Sequence, residues 1–418
     1  MILLLARLKV PLAAAILAGA VAIGAMCGLD AQQIAETIGT GIIQPRTLGL
    51  VAITITLLAL SGTMQAGGQM AEIVRLARTF LRRPAVTMAA LPALIGLLPM
   101  PGGAIFSAPM VASAAGSGKV GGEKLSAVNY WYRHVWEHFW PLYPGVILAV
   151  TLTGNDFMTF AAFQWPLCVF MVAAGLLVLR RMDGDLHVRG PVPPVGTKRK
   201  LLRATAPIWI IFLVWLAETI ALKLLPDSVI PESMRDVIKY APVTMGLAVS
   251  LVWTSFASRL DRRSIARVWT NRNIYAMAVL VTSVMVLQYT FARIDVAAKI
   301  GRELEVLRVP VMAMVIILPF IAGMVTGLAI GFVGTSFPIV LGLVAAMPEQ
   351  VSIYPYVVLA YAFGHLGQML SPLHLCHVVS NKYFNTPFAP VYREIGPSAV
   401  VVAAASLAYF AALRAFMG

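Results

Sequence analysis

Apolar runs of about twenty residues recur along the chain, separated by short polar or charged stretches. A helix of that length crosses a bilayer core. The pattern predicts spanning helices near residues 10–29, 47–66, 124–150, 157–180, 204–225, 238–257, 272–292, 352–380 and 396–416. Two further apolar stretches, near 84–118 and 309–348, behave differently. Each follows a short charged amphipathic stretch (MAEIVRLARTFLRR and ARIDVAAKIGRELEVL), and each has a Gly/Pro-rich interruption in its middle. The first run resembles a signal peptide, with Arg7 and Lys9 ahead of small apolar residues. MILLL precedes those charges, however, and the run has a counterpart in IKYAPVTMGLAVSLVWTSFA. It is read as a retained helix.

The two interrupted stretches resemble each other. LPALIG (91–96) and LPFIAG (318–323) are offset by 227 residues, and Ser107 and Ser336, each two residues before a proline, by 229. In the helices that follow, WEHFWPLYP lies over GQMLSPLHL, with Pro141 and Pro372 offset by 231. Slowly growing offsets in one order are the signature of a duplicated half. The expected organisation is a first repeat over 1–180, a basic linker over 181–203, and a second repeat over 204–418.

Charge then decides how the interrupted stretches meet the membrane. If both are re-entrant hairpins, most lysines and arginines fall on the face that carries the N-terminus, including Arg75–Arg83, the 180–203 cluster and the 259–272 cluster. If each crossed once, those clusters would be split and the bias lost. The positive-inside rule favours hairpins and a cytoplasmic N-terminus. An odd number of spans between the hairpins makes the repeats inverted, the usual plan of secondary transporters.

The expected fold is therefore an all-α membrane protein. It has inverted repeats, about nine transmembrane helices and two re-entrant helical hairpins, each followed by a broken helix. Composition agrees: 59% of residues are hydrophobic and 12% charged, against about 25% charged in soluble domains. The net charge of +14 sits in short inter-helix clusters without interleaved aromatics, so nucleic acid is not an expected partner. Cys27, Cys168 and Cys376 are scattered, with no zinc-ligand spacing, and no metal site is expected. No GxSxG, P-loop or HExxH motif supports an enzyme.

Candidate chemistry lies in two places. PMPGGA (99–104) and FVGTS (332–336) are expected to be non-helical backbone at membrane depth, which must line a protein-enclosed site. Pro101, Gly102, Gly103 and Ser107 from the first hairpin, with Gly334, Thr335 and Ser336 from the second, would offer helix N-termini to an anion. Free carbonyls there could hold Na⁺. The second place is NYWYRHVWEHFWPLYPG, with Asn129, Arg133, His134, Glu137 and His138 in an apolar run, where ionisable groups mark functional pathways. Arg133 and Glu137, four apart, can pair along one helix face. Arg133 alternatively binds a carboxylate while Glu137 or a histidine carries a proton. The partner helix adds His365, Gln368 and Ser371, together with His374 and His377, and Pro141 and Pro372 break both helices.

At LPALIGLLPMPGGAIFSAPMV the chain resembles an uncharacterised family of prokaryotic integral membrane proteins grouped with the ion-transporter superfamily. That superfamily includes carriers of gluconate, citrate and C4-dicarboxylates. The resemblance implies paired hairpins, a homodimer and elevator-like movement, with Gly103–Ser107 and Gly334–Ser336 as tips. The divalent-anion symporters carry Ser-Asn-Thr there, whereas this chain has Phe-Ser-Ala and Gly-Thr-Ser. The reading is a secondary transporter of a small organic anion in the prokaryotic inner membrane, coupled to Na⁺ or H⁺, with no cofactor. The alternatives are the membrane subunit of a binding-protein-dependent transporter and a non-transporting sensor or scaffold.

Overall fold

A computed structural model of the protein describes residues 10–80, 83–97, 103–116, 120–154, 156–180, 196–224, 240–295, 310–347 and 351–417. Every regular element among them is helical. Pro45–Ala66, Phe157–Arg180, Arg262–Arg293 and Phe388–Met417 are long and apolar enough to cross a membrane. Phe157–Arg180 shows how the apolar pattern is divided. Trp165, Val169, Val172 and Leu176 recur along an exposed stripe, while Phe160, Leu167, Met171, Ala174 and Val178 are buried on the other side. A helix that is apolar on both its inner and outer faces needs lipid outside. The exposed stripe is apolar enough to face lipid.

The chain divides into two compact units that each draw on both halves of the sequence: residues 1–41, 84–188 and 283–418 form one, and 42–83 with 189–282 the other. In the second unit, α3 (Pro45–Ala66) packs on α12 (Ala241–Ala257), which in turn packs on α11 (Ala206–Leu224). Gly49 lies flat against the Tyr240 ring, and Ser250 donates to the Pro207 carbonyl at 2.8 Å. The short basic helix α10 (Thr197–Ala204) meets α11 at a 60° bend.

The first unit contains the interrupted stretches. The N-terminal run forms α1 (Leu12–Met26), only 15 residues long, followed by α2 (Ala31–Ile43), a helix the twenty-residue criterion did not predict. Its start is a capping box: Asp30 N–H donates to Gln33 Oε1 at 3.0 Å and Gln33 N–H to Asp30 Oδ1 at 2.8 Å.

The first interrupted stretch is a packed helix pair, α5 (Pro84–Gly96) and α6 (Ala104–Ala115). The second is α15 (Val311–Thr326) and α16 (Ala329–Ala345). The arms hold 13, 12, 16 and 17 residues, or roughly 18–26 Å at 1.5 Å per residue, short of the ~30 Å core. Each arm carries one internal proline, at Pro92, Pro109, Pro319 and Pro338.

The second turn corrects the sequence reading. FVGTS lies inside α16, so Gly334, Thr335 and Ser336 are helical rather than at a tip. The chain turns earlier: Gly327 takes a left-handed conformation (φ 61°) and ends α15, and extended Leu328 starts α16. Gly331 and Gly334 serve helix packing instead, against Thr326 and Val284 respectively. Of the first tip, Pro101 and Gly102 lie outside the described residues, while Gly103 is the residue before α6.

Both following helices break. After α7 (Gly122–Arg133) the chain makes turns through 134–143 before α8 (Pro144–Thr153). After α17 (Ile353–Met369) it turns through 370–374 before α18 (Leu375–Tyr383). Proline lacks an N–H and clashes with the preceding turn, so Pro141 and Pro372 hold these breaks open. From Ser126 to Arg133, and through most of α17, side chains are buried all round. These two helices are the centre of the unit.

Candidate functional site

Glycine sets how closely each hairpin arm meets its broken helix. A β-carbon on Gly96 would collide with the Arg133 carbonyl, and one on Gly323 with the Gly364 carbonyl. Gly96 and Gly323 are the last residues of the repeated LPxxxG segments, and Arg133 and Gly364 share the 231-residue offset of the prolines. The same backbone crossing is therefore built twice. In the first copy the break is also pinned by aromatic donors: Trp136 Nε1 donates to Ala93 O at 2.8 Å, Trp140 Nε1 to Leu97 O at 2.9 Å, and the Tyr143 hydroxyl to Gly96 O.

The two breaks meet in a reciprocal arrangement. Tyr361 donates to the Glu137 carbonyl at 2.8 Å. Tyr130, its counterpart at the same offset, donates to Met369 O at 3.0 Å and lies 3.5 Å from Gln368 O. Gln368 is itself the counterpart of Glu137. Each broken helix thus closes the frayed end of the other. Two more bonds tie α7 to α18: Ser126 Oγ donates to Asn381 Oδ1 at 2.6 Å, and Asn129 Nδ2 to Ser380 Oγ at 2.8 Å.

Charged and titratable groups collect inside this frame. Gln368 Nε2 donates to Glu137 Oε2 at 2.7 Å. His365 Nε2 lies 3.6 Å from Glu137 Oε2, and His134 Nε2 3.8 Å from Glu137 Oε1. The carboxylate is thus flanked by two histidines 231 positions apart, one beside each break. Because α7 ends at Arg133, Glu137 is not one helical turn further along the same face as expected. The Arg133 guanidinium instead sits against Gly103, where a β-carbon would strike it, with Cys376 among the groups near enough to interact with its charge. Asn129 Nδ2 also reaches Ala104 O at 3.2 Å, on the first turn of α6. An arginine beside an N-terminal helix turn whose flanking residue supplies no side-chain cap is a positive, donor-rich surface.

The structure therefore brings together Gly103, Asn129, Arg133, Glu137, His365 and Gln368. The His138 ring lies 4.2 Å from the His365 ring, tilted by 55° to it. Ser107 is buried in α6 and bonds weakly to Ala104 O at 3.3 Å. Ser371 receives the Leu373 N–H within the second break. Thr335 and Ser336 donate to carbonyls of their own helix, at 2.7 Å to Gly331 O and 2.6 Å to Phe332 O. Sequence reasoning passed over Tyr130, Tyr361, Cys376, Ser380 and Asn381. Only the repeat offset, which superposes Tyr130 on Tyr361 and His134 on His365, carried a signal for any of them.

Paired short helices, two broken helices crossing at a buried polar centre and long lipid-facing helices define a multi-pass integral membrane protein. Its fold resembles that of the Alcanivorax borkumensis YdaH transporter, a crystal structure described as having an unusual topology. The TM-score is 0.62 at 14% identity, covering 93% of this chain and 90% of that one. It also resembles Neisseria gonorrhoeae MtrF, described as illuminating a class of antimetabolite efflux pumps, with TM-score 0.50 and 12% identity over 93% and 86% of the chains. The protein belongs to the family described as protein of unknown function (DUF401), whose model matches residues 2–190 and 199–413. No curated protein matches it in sequence.

Proposed function

We propose that the protein is a secondary active transporter of a small organic anion, working by alternating access. The observation that carries this reading is the convergence of Arg133, the Gly103 end of α6 and the Glu137 carboxylate where two repeat-related broken helices meet. Arg133 and the Ala104 and Ile105 N–H groups at the start of α6 would hold a carboxylate, since a planar guanidinium and backbone donors match its oxygens. Glu137, bonded to Gln368 and flanked by His134 and His365, has the partners of a proton carrier. Na⁺ bound by carbonyls at the hairpin tips is the competing coupling ion. In this reading the repeats are inverted, the N-terminus is cytoplasmic, and the site-bearing unit moves in an elevator-like cycle within a homodimer of the inner membrane. The likeness to known transporter folds supports the class and leaves the substrate open.

Reconstitution tests the proposal. Proteoliposomes loaded with unlabelled carboxylates are expected to accumulate a labelled member of the panel when a proton or sodium gradient is imposed. Running both gradient directions covers import and export. If no acid in a broad panel exchanges or accumulates above empty liposomes, the organic-anion reading is wrong.

A further inference from the structure

Cys376 and His374 have no part in the proposed anion contact, yet together with His134 they form the tightest cluster of soft ligands among the described residues. The ligand atoms of His134, His374 and Cys376 all lie within 4.8 Å of one another, and all three residues are buried. The cluster joins the two breaks. His134 is the first residue beyond α7, His374 precedes α18, and Cys376 lies in its first turn.

Both imidazoles are already oriented by their other nitrogen. His134 Nδ1 lies 2.6 Å from Tyr130 O. His374 Nδ1 lies 3.3 Å from Gln368 O and 3.1 Å from the Tyr130 hydroxyl, which is itself a donor to Met369 O. A carbonyl only accepts, so each Nδ1 carries a proton, and a ring that is neutral then presents its lone pair at Nε2. This is how metal-bound histidines are held by their surroundings. The Cys376 sulfur lies within 4.8 Å of the facing nitrogen of each ring. One S–H proton can serve only one of the two lone pairs, whereas a cation between them serves all three donors.

Glu137 lies at the edge of the cluster: its Oε1 is 3.8 Å from His134 Nε2, but it is not among the atoms that gather within 4.8 Å. Three protein ligands leave the fourth position of a tetrahedral ion open, and a thiolate with two imidazoles selects zinc-class metals over Mg²⁺ or Ca²⁺. We propose that His134, His374 and Cys376 form a binding site for a zinc-class divalent metal ion that clamps the two breaks together. The competing arrangement is a salt link without metal, in which Arg133 pairs with the Cys376 thiolate and a doubly protonated His134 with Glu137.

Co²⁺ titration of the purified full-length protein in detergent separates the two. The expected result is one equivalent bound, with a near-ultraviolet thiolate-to-cobalt band and the visible bands of a tetrahedral centre, all displaced by Zn²⁺. Cys376→Ser is expected to abolish the near-ultraviolet band, His374→Gln to weaken Zn²⁺ binding by more than the roughly 10–100-fold that loss of an outer-shell partner costs, and Cys27→Ser to change neither. Thermal unfolding of each variant without metal checks that it is folded. A folded wild type without a thiolate–cobalt band overturns the proposal, as does a band that survives Cys376→Ser or disappears with Cys27→Ser. Because the readout involves no transport, its failure leaves the anion-carrier reading standing, and failed uptake leaves the metal site standing.

Discussion

Replacing Gly96 or Gly323 with alanine adds one methyl group where two backbones cross. At Gly96 the new carbon would lie 3.0 Å from the Arg133 carbonyl carbon and closer still to its oxygen. At Gly323 it would lie 2.8 Å from Gln368 N and 3.1 Å from the Gly364 carbonyl carbon. Carbon contacts relax at about 3.5–4.0 Å, so the arm and the broken helix must separate by roughly 1 Å. No side chain can rotate aside, because the obstructing atoms are backbone on both sides. Overpacking costs about 1–3 kcal/mol where side chains can adjust, so about 3 kcal/mol or more is expected here. At Gly96 the shift also strains the Trp136 and Trp140 bonds to Ala93 and Leu97, each contributing about 1 kcal/mol. At roughly 2–4 °C per kcal/mol, the apparent melting temperature in detergent should fall by roughly 6 °C or more in either variant. Unfolding of such a protein is commonly irreversible, so variants are compared at one scan rate. Gly39→Ala is the control: it sits in α2, and a β-carbon added there would meet nothing within 4 Å. Alanine there should stabilise by up to about 1 kcal/mol through helix propensity. If Gly96→Ala and Gly323→Ala melt with the control, the close crossing does not exist and the repeat-related geometry built on it fails.

Three further outcomes follow from the site. Arg133→Lys keeps the charge but loses the planar fork beside Gly103, so substrate affinity should fall by about 10-fold or more in a binding titration. Unchanged affinity removes Arg133 from the anion contact. Glu137→Gln keeps the shape beside Gln368 and removes the titratable carboxylate. Proton-driven accumulation should disappear while substrate exchange at equal gradients persists; intact accumulation would show that another group carries the proton. Ser336→Ala removes a hydroxyl that bonds only its own helix carbonyl, so affinity should stay within about threefold. A larger loss would mean that the Ser336 hydroxyl turns toward substrate.

The short helix pairs and the breaks are legible because their signals are local. Proline at 141 and 372 cannot continue a helix, and arms of 12–17 residues bounded by Gly/Pro runs are too short to cross. The second tip was misplaced for an equally physical reason. Glycine in FVGTS and glycine in a turn look alike in sequence, yet here Gly331 and Gly334 remove side chains where helices press together, and the turn belongs to Gly327. Helix α2 escaped because its start is written in a capping box rather than in apolar length. Half of the site escaped because its members are far apart in sequence. Cys376, Ser380 and Asn381 meet α7 residues some 240–255 positions away, and no local spacing announces such a meeting.

The internal offset of 227–231 residues reaches further than any single motif, because it separates what the two matching segments share from what the site requires. Tyr130 and Tyr361, Gly96 and Gly323, Pro141 and Pro372, and His134 and His365 are kept in both copies. All but the histidines brace backbone: they close helix ends, allow a crossing or hold a break. The charges are not kept. Arg133 faces a glycine in the other repeat, and Glu137 faces a glutamine that donates to it. Gly364 could not be arginine without changing its own surroundings, since a β-carbon there would strike the Phe332 ring. A symmetric frame with charge in one copy gives a single polar centre with one guanidinium and one carboxylate. Duplicating both charges would bury two of each, and unpaired buried charges are costly. The asymmetry therefore lies where recognition is proposed, and the symmetry lies in the scaffold that holds it.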